Sequence, residues 1–176
     1  VERHLRDARI NMIFEGSSEI MRLFIAREAV DSHLAIAGDL VNPKASLGAK
    51  LRALVRAGFH YAWWYPTRFL GWSVWPRYMK FGGLGSHLRF VERASRRLAR
   101  ATFHAMVRFG PKLEKRQAVL GRIVDIGSDL LVMTAVIVRA RELGEATEKK
   151  GADALADLFC RMARRRITAR FPALFN

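Results

Sequence analysis

Arg6-Asp7-Ala8-Arg9-Ile10-Asn11-Met12-Ile13-Phe14-Glu15-Gly16-Ser17-Ser18-Glu19-Ile20-Met21-Arg22-Leu23 decides how this chain is read. Within it one carboxylate stands between an aromatic residue and a glycine, just before a helical pattern that opens with two serines. Phe14 beside Glu15 implies a poorly solvated carboxylate, which raises its pKa and makes it a stronger base. Gly16 has no Cβ, so a ligand can approach the backbone beside that carboxylate. Ser17 and Ser18 bring hydroxyls and backbone N–H groups to a helix N-terminus, a natural place for anionic or polar cofactor atoms. The same residues also describe an ordinary helix end followed by the cap of the next helix. Taken alone, they leave both readings open.

Working outward, residues 1–9 read as the end of a helix and 10–16 as a turn. From Ser17 to about Ala37, Ile20, Leu23, Phe24, Ala26, Ala29, Val30 and Leu34 recur at helical spacing, with Gly38 as the expected stop and Asn42-Pro43 as a loop. A short helix is expected from Leu47 to about Ala62, with Leu47, Leu51, Leu54, Val55 and Phe59 apolar and Lys50, Arg52 and Arg56 between them. Gly82-Gly83 and Gly85 mark a loose connection. Three helices follow. The first carries Leu88, Val91, Leu98, Thr102, Ala105 and Phe109 and closes at Gly110-Pro111. The second runs from about Lys112 to Leu143; it is apolar on nearly every side between Leu130 and Val138 and should be buried in a bundle. The third runs from about Gly151 to Phe171, with Leu155, Phe159 and Met162 inward. The fold class is all-α, and no Gly-rich phosphate loop or alternating strand pattern appears.

The 176 residues are 51% hydrophobic, enough for one or two small domains. The single cysteine, Cys160, excludes an internal disulfide and reads as a buried structural thiol in a reducing compartment. The histidines show no metal-ligand spacing, so no metal site is expected. Charge is concentrated: residues 44–116 hold 16 Lys+Arg against two acids, Glu92 and Glu114, out of a total net charge of +15. All four tryptophans lie in that block. Trp63, Trp64, Arg68, Trp72 and Trp75 are candidate contacts with a membrane interface, where aromatic rings and snorkelling Arg/Lys stems are at home. Pro66, Arg68 and Pro76 interrupt any spanning helix. The alternative is that the aromatics pack on other domains or a second subunit while the arginines stay solvated. Nucleic acid is not expected, since no binding motif accompanies the charge. The Arg164-Arg165-Arg166 run is expected to meet helix carbonyls or solvent.

The opening stretch closely resembles the last conserved segment of the acyl-CoA dehydrogenases, in which the pattern reads roughly R-D-A-[RK]-I-x-x-I-[FY]-E-G-T-x-[ED]-I-x-R-L. The likeness covers about the first thirty positions. It departs at Ser17, where threonine is usual, and at Ser18, where many members carry Asn. The resemblance implies that Glu15 removes the α-proton of an acyl-CoA thioester while the β-hydrogen leaves as hydride to FAD, giving a trans-2-enoyl-CoA. It implies that Gly16 lies against the substrate, and that Ser17, Ser18 and Glu19 lie against FAD. Physical chemistry agrees, because a weakly acidic α-proton needs a desolvated carboxylate with donors aimed at the developing enolate oxygen.

Residues 86–176 resemble the extra C-terminal helical domain of the very-long-chain members, on helix lengths, on Glu114-Lys115-Arg116-Gln117 ahead of Leu120, and on Asp125, Asp129-Leu130 and Met133. That likeness implies a homodimer bound peripherally to a membrane. The expected organisation is thus 1–38, the end of the acyl-CoA dehydrogenase C-terminal helical domain; 39–85, a basic and aromatic linker; and 86–176, an appended three-helix domain. Val1 enters directly into a helical pattern, so the chain reads as part of a longer enzyme, inactive alone because most of the flavin site is expected upstream. The resemblance further implies electron-transfer flavoprotein as acceptor. Arg- and Ala-rich usage fits a high-GC bacterium, with a cytoplasmic location, peripheral at most on the inner membrane, or a mitochondrial one in a eukaryote. The rival reading is a non-catalytic helical module that binds a membrane or a partner.

Overall fold

The computed structural model of the chain describes residues 2–10, 18–42, 44–70, 78–146 and 151–175. Among them every regular element is helical: α1 (Glu2–Ile10), α2 (Ser18–Val41), α3 (Leu47–Thr67), α4 (Gly85–Phe109), α5 (Gln117–Ala146) and α6 (Ala152–Arg170), with short 3-10 segments at Met79–Leu84, Gly110–Lys115 and Pro172–Phe175. The 30-residue α5, about 45 Å long at 1.5 Å per residue, is the central element and packs against α2, α4 and α6. α3 lies against α2.

The core runs along one stripe of α5, through Ile123, Ile126, Leu130, Met133, Ile137 and Ala140. This spacing of three and four is what a helix needs to keep one face turned inward. It corrects the expectation of a centre buried all round: Leu131 is 71% exposed, and Val132 and Val138 are also on the outside. Against α5, α6 turns Ala156, Cys160, Ala163 and Ile167, all buried. Leu155 and Met162, expected inward, are exposed, and Phe159 is half-buried. Small residues win the contact because they let two helix backbones approach closely, while the larger side chains on either flank stay outside. Cys160 is fully buried, and burial, followed by the nearby Asp157 carboxylate, pushes its thiol up to about 11. The thiol is therefore unreactive near neutrality.

Helix ends also differ from the sequence reading. α2 continues through Gly38 to Val41; a glycine inside a helix costs about 1 kcal/mol, which packing on α3 offsets. Ser46 caps α3 by accepting from the Ala49 N–H at 3.2 Å. α3 then runs past Ala62 to Thr67, so Trp63, Trp64 and Tyr65 are helical residues. Pro66 has no N–H to give the carbonyl four residues back, and α3 ends one residue later, where the Arg68 N–H turns back to the Tyr65 carbonyl. Two glycines have steric reasons. Gly110 closes α4 at φ +50, and a Cβ on Gly85 would come within 2.6 Å of the Tyr78 carbonyl oxygen.

Candidate functional site

Glu15, Gly16 and Ser17 lie outside the described residues, as do Trp72 and Trp75. The structure instead describes the helix that follows Glu15 in the sequence and what holds it. α2 opens at Ser18, which is exposed, with Glu19 in its first turn. Over the next two turns Ile20, Met21, Phe24 and Ile25 are about half exposed and Leu23 a little less; Ala26 is the first buried side chain. An apolar surface of this kind on a folded chain marks an interaction face.

Two sets of side chains fasten α2. The first is ionic. Arg22 Nη2 lies 3.0 Å from Asp125 Oδ1 on α5. Asp125 Oδ2 is 3.7 Å from Arg170 of α6, and Arg170 also pairs with Asp129. Arg166 donates to both Asp129 oxygens, from Nη2 at 2.8 Å and Nε at 3.3 Å. Asp125 and Asp129 stand one turn apart on α5, Arg166 and Arg170 one turn apart on α6, so the two pairs meet face to face. This bonding raises the Arg166 pKa, chiefly through the hydrogen bonds to Asp129. The arrangement corrects the expected role of the Arg164-Arg165-Arg166 run: Arg166 serves this network, and Arg164 lies over the Phe90 ring, 3.5 Å from His87 Nδ1. Sequence reasoning missed the network. Its signal was present, as two carboxylates and two arginines each at i, i+4 spacing on neighbouring helices.

The second set is aromatic. His33 on α2 is buried and shares a 2.8 Å hydrogen bond with the Tyr61 hydroxyl of α3. Trp64 meets the His33 and Tyr61 rings edge-on, and Phe103 of α4 packs beside all three. Burial first, then the charge of neighbouring His60, holds the His33 pKa below its ordinary value. Trp64 and Arg68 thus face inward: both are half-buried, with the Arg68 guanidinium 5.2 Å from the Trp64 ring centroid. Trp63 points the other way and is 78% exposed, on the same side of α3 as Leu51, Val55 and Phe59. Arg52 and Arg56 border that face, and no acidic residue occurs anywhere in α3.

A family model described as the acyl-CoA dehydrogenase C-terminal domain matches residues 1–30, which include Glu15-Gly16-Ser17. The whole chain aligns, with 53% identity over 179 residues, to the probable acyl-CoA dehydrogenase FadE10 of Mycobacterium tuberculosis and, equally, of Mycobacterium bovis. Over its whole length the chain is thus similar to acyl-CoA dehydrogenases. It is also 30% identical, over 99% of its length, to the human mitochondrial very long-chain specific acyl-CoA dehydrogenase. The chain spans 28% of the FadE10 proteins and 27% of the human one. No solved structure matches it.

Proposed function

We propose that this chain supplies the catalytic base of an FAD-dependent enzyme that oxidises long-chain acyl-CoA to trans-2-enoyl-CoA. The observation that supports the proposal is the family match over residues 1–30, the stretch within which Glu15 falls. Glu15 takes the C2 proton of the thioester, and the Glu15 backbone N–H together with Gly16 gives the thioester a close approach to the chain. FAD, when bound, supplies the hydride acceptor. The donors at the start of α2 fit such a group. Ser18 is exposed at the start of a 24-residue helix, whose first N–H groups and positive dipole end suit electron-rich flavin or phosphate oxygens. Ser17, Ser18 and Glu19 are the residues assigned to hold it. The likeness to the very long-chain enzyme supports long acyl chains; a homodimer and electron-transfer flavoprotein as acceptor belong to the same proposal through the resemblances of the opening stretch and of residues 86–176.

The outer face of α3 supports peripheral membrane contact as part of the same reading. Leu51, Val55, Phe59 and Trp63 form an exposed apolar strip edged by Arg52 and Arg56, the arrangement that lets a helix lie in a headgroup layer. No described helix is long and apolar enough to cross a membrane. In the full-length protein, Glu15→Gln should leave FAD bound and abolish its reduction by acyl-CoA. Undiminished reduction would remove Glu15 from its role, whereas a wild type whose flavin acyl-CoA does not reduce would favour the rival non-catalytic module.

A further inference from the structure

We infer that Arg22 and Asp125 are positioning residues for Glu15, an ion pair through which α5 and α6 hold the start of α2, the helix that follows Glu15 in the sequence. The inference rests on the assignment of Glu15 as base. Arg22 lies on the second turn of α2, seven residues after Glu15 in the sequence. Around it the side chains of Ile20, Met21, Leu23, Phe24 and Ile25 are exposed, so apolar packing within the described residues begins only at Ala26. The pair to Asp125 at 3.0 Å is therefore a fixed point ahead of the packed part of the helix.

Asp125 is suited to the task because it is itself held. Its carboxylate is 26% exposed and faces Arg170, which is shared with Asp129, while Asp129 is gripped at both oxygens by Arg166. Arg22 thus docks onto a constellation already ordered by two other helices, so little further ordering entropy is lost. Ion pairs as open as this one contribute little to global stability. Arg22 is half exposed, and its loss leaves no buried charge unpaired. The expected consequence is positional. A displacement of about 1 Å in a reacting group, caused from a distance, can cost ~100-fold in rate, and a loosened helix start should deliver a part of that.

The test is a double-mutant cycle in the full-length holoenzyme: Arg22→Met, Asp125→Asn and the two combined. The readouts are the anaerobic rate of FAD reduction by acyl-CoA, the isotope effect with C2-deuterated substrate, and Tm. Each single variant should reduce flavin about 10-fold more slowly, with a larger C2 isotope effect and a nearly unchanged Tm; the double variant should be no slower than either single one. Wild-type rates in both single variants would overturn the inference. So would rate losses that multiply in the double variant, or that accompany a fall in Tm, since those describe two separate structural defects. Glu15→Gln measured alongside keeps the two claims apart. If it reduces flavin normally, the assignment of the base fails; if it is inactive while the pair variants match wild type, the positioning role fails.

Discussion

Ile137→Ala removes three carbons from a side chain with no exposed surface, on the inward stripe of α5 between Met133 and Ala140. At about 0.8 kcal/mol per buried carbon, the lost transfer free energy is about 2.4 kcal/mol. The void adds a further ~1–2 kcal/mol, because α6 already approaches through the short side chains of Ala156, Cys160 and Ala163, leaving little that can move in to fill it. The expected loss is about 3–4 kcal/mol. Leu131→Ala, on the opposite side of the same helix and 71% exposed, should change stability by no more than about 0.5 kcal/mol. Urea unfolding of the 176-residue chain, followed by circular dichroism, compares the two variants directly: the midpoint falls strongly for one and hardly for the other at equal m. Equal losses would mean that α5 is buried on both sides. A loss below about 1 kcal/mol for Ile137→Ala would displace the core stripe altogether.

Acid should loosen the α2–α3–α4 junction through His33. Its folded pKa is held below the ordinary 6.5 by burial and by His60, so the unfolded chain binds the proton first as pH falls. The stability contributed by neutral His33 is complete above pH 6.5 and is lost as pH drops towards the depressed value. His33→Phe should therefore flatten the decline of Tm below that pH, and an unchanged slope would contradict it. Gly85→Ala drives a Cβ against the Tyr78 carbonyl and should cost about 1–3 kcal/mol, whereas Gly58→Ala, within α3 with no atom within 4 Å, should stabilise by about 0.5–1 kcal/mol; thermal unfolding separates them, and a reversed order would refute the packing at α4. The full-length protein should co-sediment with anionic vesicles at low salt, less so at high salt. Phe59→Ala combined with Trp63→Ala should weaken that association, and equal sedimentation would argue against the α3 face.

The extents of α4 and α6 were readable because apolar residues recur every three or four positions and Gly110-Pro111 closes α4; α5 starts at Gln117 and not near Lys112, because Gly110–Lys115 forms a 3-10 segment. The inward face was harder to read. Periodicity shows which residues share a side of a helix, but where two sides are both apolar, as at Ile137 and Leu131, only the position of the neighbouring helix decides. On α6 the instinct to bury the largest side chains chose Leu155 and Met162, while close approach to α5 selected Ala156, Cys160 and Ala163. The same limit hid the two sides of α3: its apolar and aromatic content was plain, yet contact with His33 and Phe103 is what turns Trp64 inward and leaves Trp63 outside. At the site, Glu15-Gly16-Ser17 was recognised through the family pattern that the comparison over residues 1–30 matches. The Arg22–Asp125 tie escaped because its partners stand 103 residues apart and no local spacing links them.

Proton exchange at C2 tests the role of Glu15 most directly. Full-length protein is incubated in deuterium oxide with an acyl-CoA analogue that keeps an acidic C2–H but has no β-hydrogen to transfer, and C2 deuteration is followed by NMR. The account predicts deuterium uptake catalysed by the wild type and none above background by Glu15→Gln, with analogue bound equally by both. Exchange at the wild-type rate in the glutamine variant would contradict it.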